Sequence, residues 1–288
     1  MLIIKNIEKK YGKKQVLKNI TTYLSDEVGI YGLLGRNGAG KTTLLKMICN
    51  QIPIKTGDIL INNESVKGFT NLHTTYCLVG NGLSTKNDLL NRKIAELFTS
   101  MEIVYDDFDR PYAEYLLNQF NLQPHLKYTK LSKGNKTVVE NIIGLASRSA
   151  VTIFDEPTAG LDSVNRERFF KELMEDYEKH PRLFIISTHL IDEVENYLTH
   201  VLMLIDGQIK MNAPIENIQS KALRITGLEQ VEGRILSQSH FMGKPSYDVF
   251  TSYTDEELQT MEENGATITR LSLQQLFNRM VEREDLYV

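Results

Sequence analysis

The chain has 288 residues, of which 41% are apolar and 24% charged, with a formal net charge of −4. That length suits one large domain and a smaller one, and the mildly acidic balance argues against a general nucleic-acid footprint. Two isolated cysteines, Cys49 and Cys77, exclude a disulfide framework and a thiolate metal site and fit a reducing cytosol.

Apolar runs such as Val201–Ile205 fall far short of the ~18 residues that a spanning helix needs. The stretch Met1–Lys5 is too short for the apolar region of a cleaved leader. Any membrane role is therefore expected to come through a partner.

Residues 1–27 predict two or three strands around Leu2, Ile4 and Ile7, then Val16, Leu17 and Ile20, with a turn at Gly12–Lys14. Tyr11 falls in that turn, where its ring could either stack on a base or simply pack. Val28–Leu34 reads as a buried strand, and Leu44–Ile48 continues as a helix. Between them stands Gly35-Arg36-Asn37-Gly38-Ala39-Gly40-Lys41-Thr42-Thr43, which matches G-x-x-x-x-G-K-[ST] in the strand-to-helix context that motif requires.

The chemistry of that stretch is phosphate binding. Gly35, Gly38 and Gly40 can take positive φ and carry no Cβ, so successive N–H groups can point into one concavity, beside the positive end of the helix. Lys41 is expected to reach the β- and γ-phosphates of a nucleoside triphosphate, and the Thr42 hydroxyl to sit on Mg²⁺.

Thr56–Asn63 and Tyr76–Val79 read as strands, the second closed by Gly80-Asn81-Gly82. From about 86 to 127 the apolar spacing becomes helical, through Leu89, Leu90, Ile94, Leu97, Phe98 and Met101, then Ala113, Leu116, Leu117 and Phe120. A separate lobe is expected there. Leu131-Ser132-Lys133-Gly134-Asn135 precedes a further helix, and Ser132 there reads first as a helix cap.

Val151–Glu156 is an apolar strand ending in two carboxylates, and ligands gather at the carboxyl ends of parallel strands. Asp155 stands where a Mg²⁺ ligand belongs, and Glu156 where a group could orient water on the γ-phosphate. Pro157 ends the strand, and Ala159–Asp162 turns into a helix at 164–178. Leu183–His189 repeats the arrangement, with His189 either structural or in contact with the γ-phosphate. Val201–Ile205 and Asp206–Ile209 form a hairpin. Beyond about 218, strands at 222–225, 247–250 and 266–268 and helices at 255–264 and 272–283 predict a small α+β unit with no motif tied to chemistry.

In this order, the residues resemble the nucleotide-binding subunits of ATP-binding cassette (ABC) transporters over roughly 1–217. The motif at 35–43, the Asp155-Glu156-Pro157-Thr158 segment, the Gly160-Leu161-Asp162 turn and His189 carry the resemblance. It implies an α/β P-loop NTPase core with a mixed, mainly parallel sheet, an N-terminal antiparallel subdomain, a helical lobe at about 83–145 and a C-terminal accessory domain at 218–288.

The resemblance also assigns roles. Tyr11 would stack on adenine and Val16 pack near the ribose; Gly35, Arg36, Asn37, Gly38, Ala39, Gly40, Lys41, Thr42 and Thr43 would bind the phosphates. Glu156, His189 and Lys41 would be catalytic, and Thr42 and Asp155 would hold Mg²⁺. Leu131-Ser132-x-Gly134 takes the place of the family signature, which usually reads Leu-Ser-Gly-Gly-Gln. Ser132, Gly134 and Asp162 would then act in trans on the nucleotide of a second copy, in a homodimer or a heterodimer with a related cassette. The family's glutamine after the strand at 76–79 is replaced by Gly80 and Asn81, with Asn81 offering the same amide to the metal.

The single cassette, the helical lobe and Leu271–Phe277 resemble bacterial single-cassette exporter ATPases that pair with a separately encoded membrane permease at the inner face of the cell membrane. Some of these serve antimicrobial or cytolytic peptide export or resistance. A soluble ABC-type ATPase acting on a nucleic-acid or ribosome complex is the alternative, and would carry a long coiled-coil insertion or tandem cassettes. A P-loop kinase would lack Ser132-x-Gly134 and the Asp162 turn.

Overall fold

The structure is a computed structural model that describes residues 1–24, 28–68, 76–80 and 91–282. Asn81, Leu89 and Leu90 lie outside the described residues. Strands β1 (Leu2–Tyr11) and β2 (Lys14–Leu24) form a hairpin whose inward positions Leu2, Ile4, Ile7, Leu17, Ile20 and Leu24 are all buried. After β3 (Gly29–Leu34) and helix α1 (Lys41–Ile48), β4 (Thr56–Ile61) and the short β5 (Glu64–Ser65) return beside β1. The result is an antiparallel sheet in the order β2-β1-β4-β5.

Strand β6 (Tyr76–Val79) precedes three helices, α2 (Ile94–Val104), α3 (Arg110–Gln119) and α4 (Lys133–Ala146). Then come β7 (Val151–Asp155), α5 (Ser163–Lys179), β8 (Leu183–Thr188), β9 (His200–Ile205) and β10 (Gln208–Pro214). The second sheet runs β10-β9-β3-β8-β7-β6, parallel except for β10. Every residue of β3, β7 and β8 is buried, as expected of strands covered on both faces. The register sets Leu34 opposite Thr188 and Asp155 opposite Ser187, so three strand ends meet at one edge.

Two apolar layers sandwich this sheet. One packs it against α1 and the N-terminal strands; the other packs it against α2 to α5. The lobe is tied down by charge as well. Asp109 caps α3 by accepting from the Tyr112 N–H at 3.0 Å and is also held by Arg148 at 2.8 Å. Arg148 continues to Asp176, which Arg182 meets at 2.8 Å, and the Arg182 guanidinium lies 4.4 Å from the Phe184 ring centroid. Asp176 is 2% exposed.

The C-terminal part comprises α6 (Ile215–Gln219), β11 (Ala222–Thr226), β12 (Ile235–Phe241), β13 (Lys244–Phe250), α7 (Asp255–Glu263), β14 (Thr267–Arg270) and α8 (Leu273–Glu282). Its strands form an antiparallel sheet in the order β12-β13-β11-β14. Strand β12 was absent from the sequence expectation, and β13 starts at Lys244 rather than Tyr247. The residues of β12 are largely polar, as suits an edge strand with one buried apolar position, Leu236.

Helix α8 joins that sheet to the cassette, burying Leu273, Leu276, Phe277 and Met280 in a core that contains Ala222 and Leu236 of the sheet as well as Ile191 and Val194. The Leu273 N–H donates to Glu195 Oε2 at 2.9 Å, and Arg279 donates to Asp248 Oδ2 at 2.8 Å. Asp248 also accepts from Arg224 at 2.7 Å. Burial pushes the Asp248 carboxyl up, but hydrogen bonds from Arg224 and Arg279 outweigh this and hold it below the ordinary carboxylate value.

A depressed folded pKa contributes stability that is complete above the unfolded value of about 3.9 and fades as pH falls through the folded one. Unfolding curves taken between pH 6 and 2 are expected to steepen below about pH 4 in the wild type and less so in Asp248→Asn. Among the described residues, no helix is long and apolar enough to cross a membrane.

Candidate functional site

The loop between β3 and α1 shows why its glycines are there. Gly38 and Gly40 take φ of +83° and +110°, the left-handed region that other residues avoid. A Cβ on Gly40 would also lie 2.7 Å from Leu17 Cδ2. Gly35 does not have positive φ. It is required by close approach: its Cβ would sit 2.5 Å from the Leu204 carbonyl oxygen.

Thr42 and Thr43 fall in the first turn of α1, and Lys41 starts it. The Lys41 side chain is 6% exposed and curls back beneath the loop, donating to the Gly35 carbonyl at 2.7 Å and the Arg36 carbonyl at 3.4 Å. Its ammonium is also 3.2 Å from Glu156 Oε1. Glu156 has φ +56°, uncommon for a residue with a side chain, and is anchored by its N–H on the Ser187 carbonyl at 2.9 Å. That turn sends the carboxylate back over the strand ends, where Oε2 lies 2.8 Å from His189 Nδ1. Lys41, Glu156 and His189 thus form one chain of contacts. Beside them Asp155 is 4% exposed and accepts from the Ser187 hydroxyl.

A cavity of about 1190 Å³ opens over the loop. Val16, Arg36, Asn37, Gly38, Ala39 and His189 line it. Tyr11 does not: it ends β1, 51% exposed, with the Lys9 ammonium 5.5 Å from its ring centroid. Gln15, the Asp206–Gly207 turn and one face of α8 also line the cavity, and none of these was tied to the phosphate loop from the sequence. The turn and α8 reach the loop only through the fold. The Gly207 carbonyl, for example, accepts from the Lys18 N–H at 2.8 Å.

Ser132, Gly134 and Asp162 are brought together on a different surface. Ser132 caps α4, its Oγ accepting from the Asn135 N–H at 3.2 Å, so the cap expectation is met. Asp162 caps α5 likewise, through the Asn165 N–H at 2.8 Å. The two helix starts are stitched together. A Cβ on Gly134 would lie 2.5 Å from the Gly160 carbonyl oxygen, and the Thr137 hydroxyl donates to the Ala159 carbonyl at 3.0 Å. Lys133 is exposed beside them. Gly80 has its own steric reason, because its Cβ would lie 2.3 Å from the Asp155 carbonyl oxygen.

The ABC transporter family model matches residues 17–159. The ABC transporter ATP-binding protein YtrB of Bacillus subtilis is 28% identical over 78% of this chain and 76% of its own. The phosphonates import ATP-binding protein PhnC 1 of Halalkalibacterium halodurans is 25% identical over 85% of this chain and 99% of its own. Among solved structures, the dimeric bacterial ABC transporter cassette MJ0796 superposes with a TM-score of 0.63 at 21% identity. It covers 75% of this chain and 99% of that one, and a second structure of that cassette is a post-hydrolysis state bound to ADP and Pi.

Proposed function

Because this chain belongs to the ABC transporter family and is one of its ATP-binding ATPase subunits, we propose that it powers export through a separately encoded membrane permease. The observation that carries the chemistry is the convergence of Lys41, Asp155, Glu156 and His189 beneath the glycine loop at the carboxyl edge of the central sheet.

The loop amides and the start of α1 would bind the β- and γ-phosphates, with Lys41 leaving the Gly35 carbonyl to meet them. The hydroxyl of Thr42 and the carboxylate of Asp155 are hard oxygen donors that suit Mg²⁺, which when bound neutralises phosphate charge. Glu156 would polarise a water for in-line attack on the γ-phosphorus. His189, hydrogen-bonded to Glu156, would keep that carboxylate oriented and support the γ-phosphate. Asn81, outside the described residues, would add an amide near the metal.

Ser132, Gly134 and Asp162 would complete the site of a second copy. The chain carries one phosphate loop and one such surface, so head-to-tail pairing of two copies gives two whole sites, and MJ0796 is a precedent for a dimeric cassette. A related cassette could replace one copy. Tyr11 would reach adenine on this reading only by turning from Lys9.

The subunit would sit at the cytoplasmic face of the membrane, with the part of the lobe around 83–127 against the permease and 218–288 as an accessory domain. Export, with antimicrobial or cytolytic peptides as cargo, is proposed over import. PhnC 1 is the relative that favours the opposite direction.

The test is affinity purification of the tagged chain from its native membranes. A polytopic membrane protein is expected with it, and inside-out vesicles containing the pair should accumulate cargo on adding ATP. Purification of the chain alone, or with ribosomes, would overturn the transport reading.

A further inference from the structure

We propose that α8 of the C-terminal part forms a wall of the nucleotide site, with the amides of Gln274 and Asn278 hydrogen-bonding the bound nucleotide. This rests on the reading that ATP occupies the cavity over Arg36–Ala39.

Helix α8 carries two stripes. Leu273, Leu276, Phe277 and Met280 recur at i, i+3, i+4 and i+7 and are buried in the core. Gln274, Asn278, Val281 and Glu282 recur at i, i+4, i+7 and i+8 and line the cavity shared with the glycine loop and His189. Residues so spaced stay on one face of a helix, so α8 borders the cavity along its length rather than by one stray side chain.

The chemistry of that face suits a nucleotide. Gln274 Nε2 donates to Asn278 Oδ1 at 2.9 Å. This leaves the Gln274 carbonyl oxygen, the second Gln274 amide hydrogen and both Asn278 amide hydrogens to offer, one acceptor oxygen and three donors without charge. Donors of this kind bond phosphate or ribose oxygens, and the acceptor takes a hydroxyl or amino hydrogen. Glu282, the one carboxylate on the face, is held by Arg279 at 3.0 Å.

The helix is also preorganised. Glu195 holds its first N–H and Asp248 holds Arg279 near its last turn, so little ordering is left when a ligand binds. A cavity of about 1190 Å³ exceeds the ~300–1,000 Å³ usual for a small-ligand site. That volume leaves room for a nucleotide to reach from the loop to α8.

The experiment measures ATP affinity by calorimetry and steady-state hydrolysis with the full chain. The double variant Gln274→Ala/Asn278→Ala is expected to weaken binding about tenfold and raise KM to match, with kcat at saturating ATP unchanged. Gln259→Ala, an exposed amide on α7 away from the cavity, is the control and should match wild type. Should the double variant fold poorly, Asn278→Asp keeps the shape, adds a negative charge, and should weaken ATP binding at unchanged thermal stability. Wild-type affinity in a folded variant overturns the proposal. Lys41→Ala tests the reading beneath: if it keeps ATP, the cavity assignment fails, whereas if it loses ATP and the α8 variants do not, only the α8 proposal falls.

Discussion

Replacing Glu156 by Gln is expected to cut ATP turnover about 10²–10³-fold while ATP remains bound. The substitution keeps the size and hydrogen-bonding reach of the side chain but removes the charge and the ability to take a proton. The geometry makes the carboxylate hard to replace from nearby. Its backbone is held at φ +56°, and its two oxygens face Lys41 at 3.2 Å and His189 at 2.8 Å. Losing the charge also releases Lys41 from an ion pair, so affinity for the triphosphate should stay level or rise. Phosphate release gives the rate and calorimetry the affinity. Turnover within threefold of wild type would remove Glu156 from the base role.

Asp176→Ala is expected to lower the free energy of unfolding by about 3–5 kcal/mol, the usual cost of stranding a buried charge. Two guanidinium groups meet at this carboxylate, and Arg148 has Asp109 as a second partner while Arg182 is paired with Asp176. Both are largely shielded from water, with side-chain exposures of 13% for Arg148 and 8% for Arg182. Burial already disfavours charge on Arg182, whose pKa is lowered despite Asp176 beside it. Lys171→Ala on the same helix breaks only an exposed pair with Glu175 at 3.8 Å, for which about 0–1 kcal/mol is expected. Urea titrations of the two variants give the comparison. A loss below 1 kcal/mol for Asp176→Ala would show that water or a shifted side chain replaces it.

What could be read from the chain was what lies close in sequence. The strand, glycine loop and helix at 29–48 are contiguous, and so are the apolar strands that deliver Asp155 and His189 to one edge. Helix starts at Ser132 and Asp162 were legible because a cap bonds an N–H three residues on. Groups meeting across long separations were not. Nothing local marks Arg148 as the link between Asp109 and Asp176, or Gly35 as the point where the Leu204 carbonyl leaves no room. Strand β12 escaped because Ser237 to His240 are polar and pair along one side only. The cavity-lining amides of α8 were not legible either, since periodicity tells which side of a helix is apolar but not what stands near the other.

The abutment of Gly134 on Gly160 has a mechanical corollary. With no slack between them, the start of α4 cannot slide inward without displacing the loop that leads to Asp162. Force arriving through the lobe would shift both prongs in concert, making their engagement and withdrawal a single snap action rather than two independent adjustments.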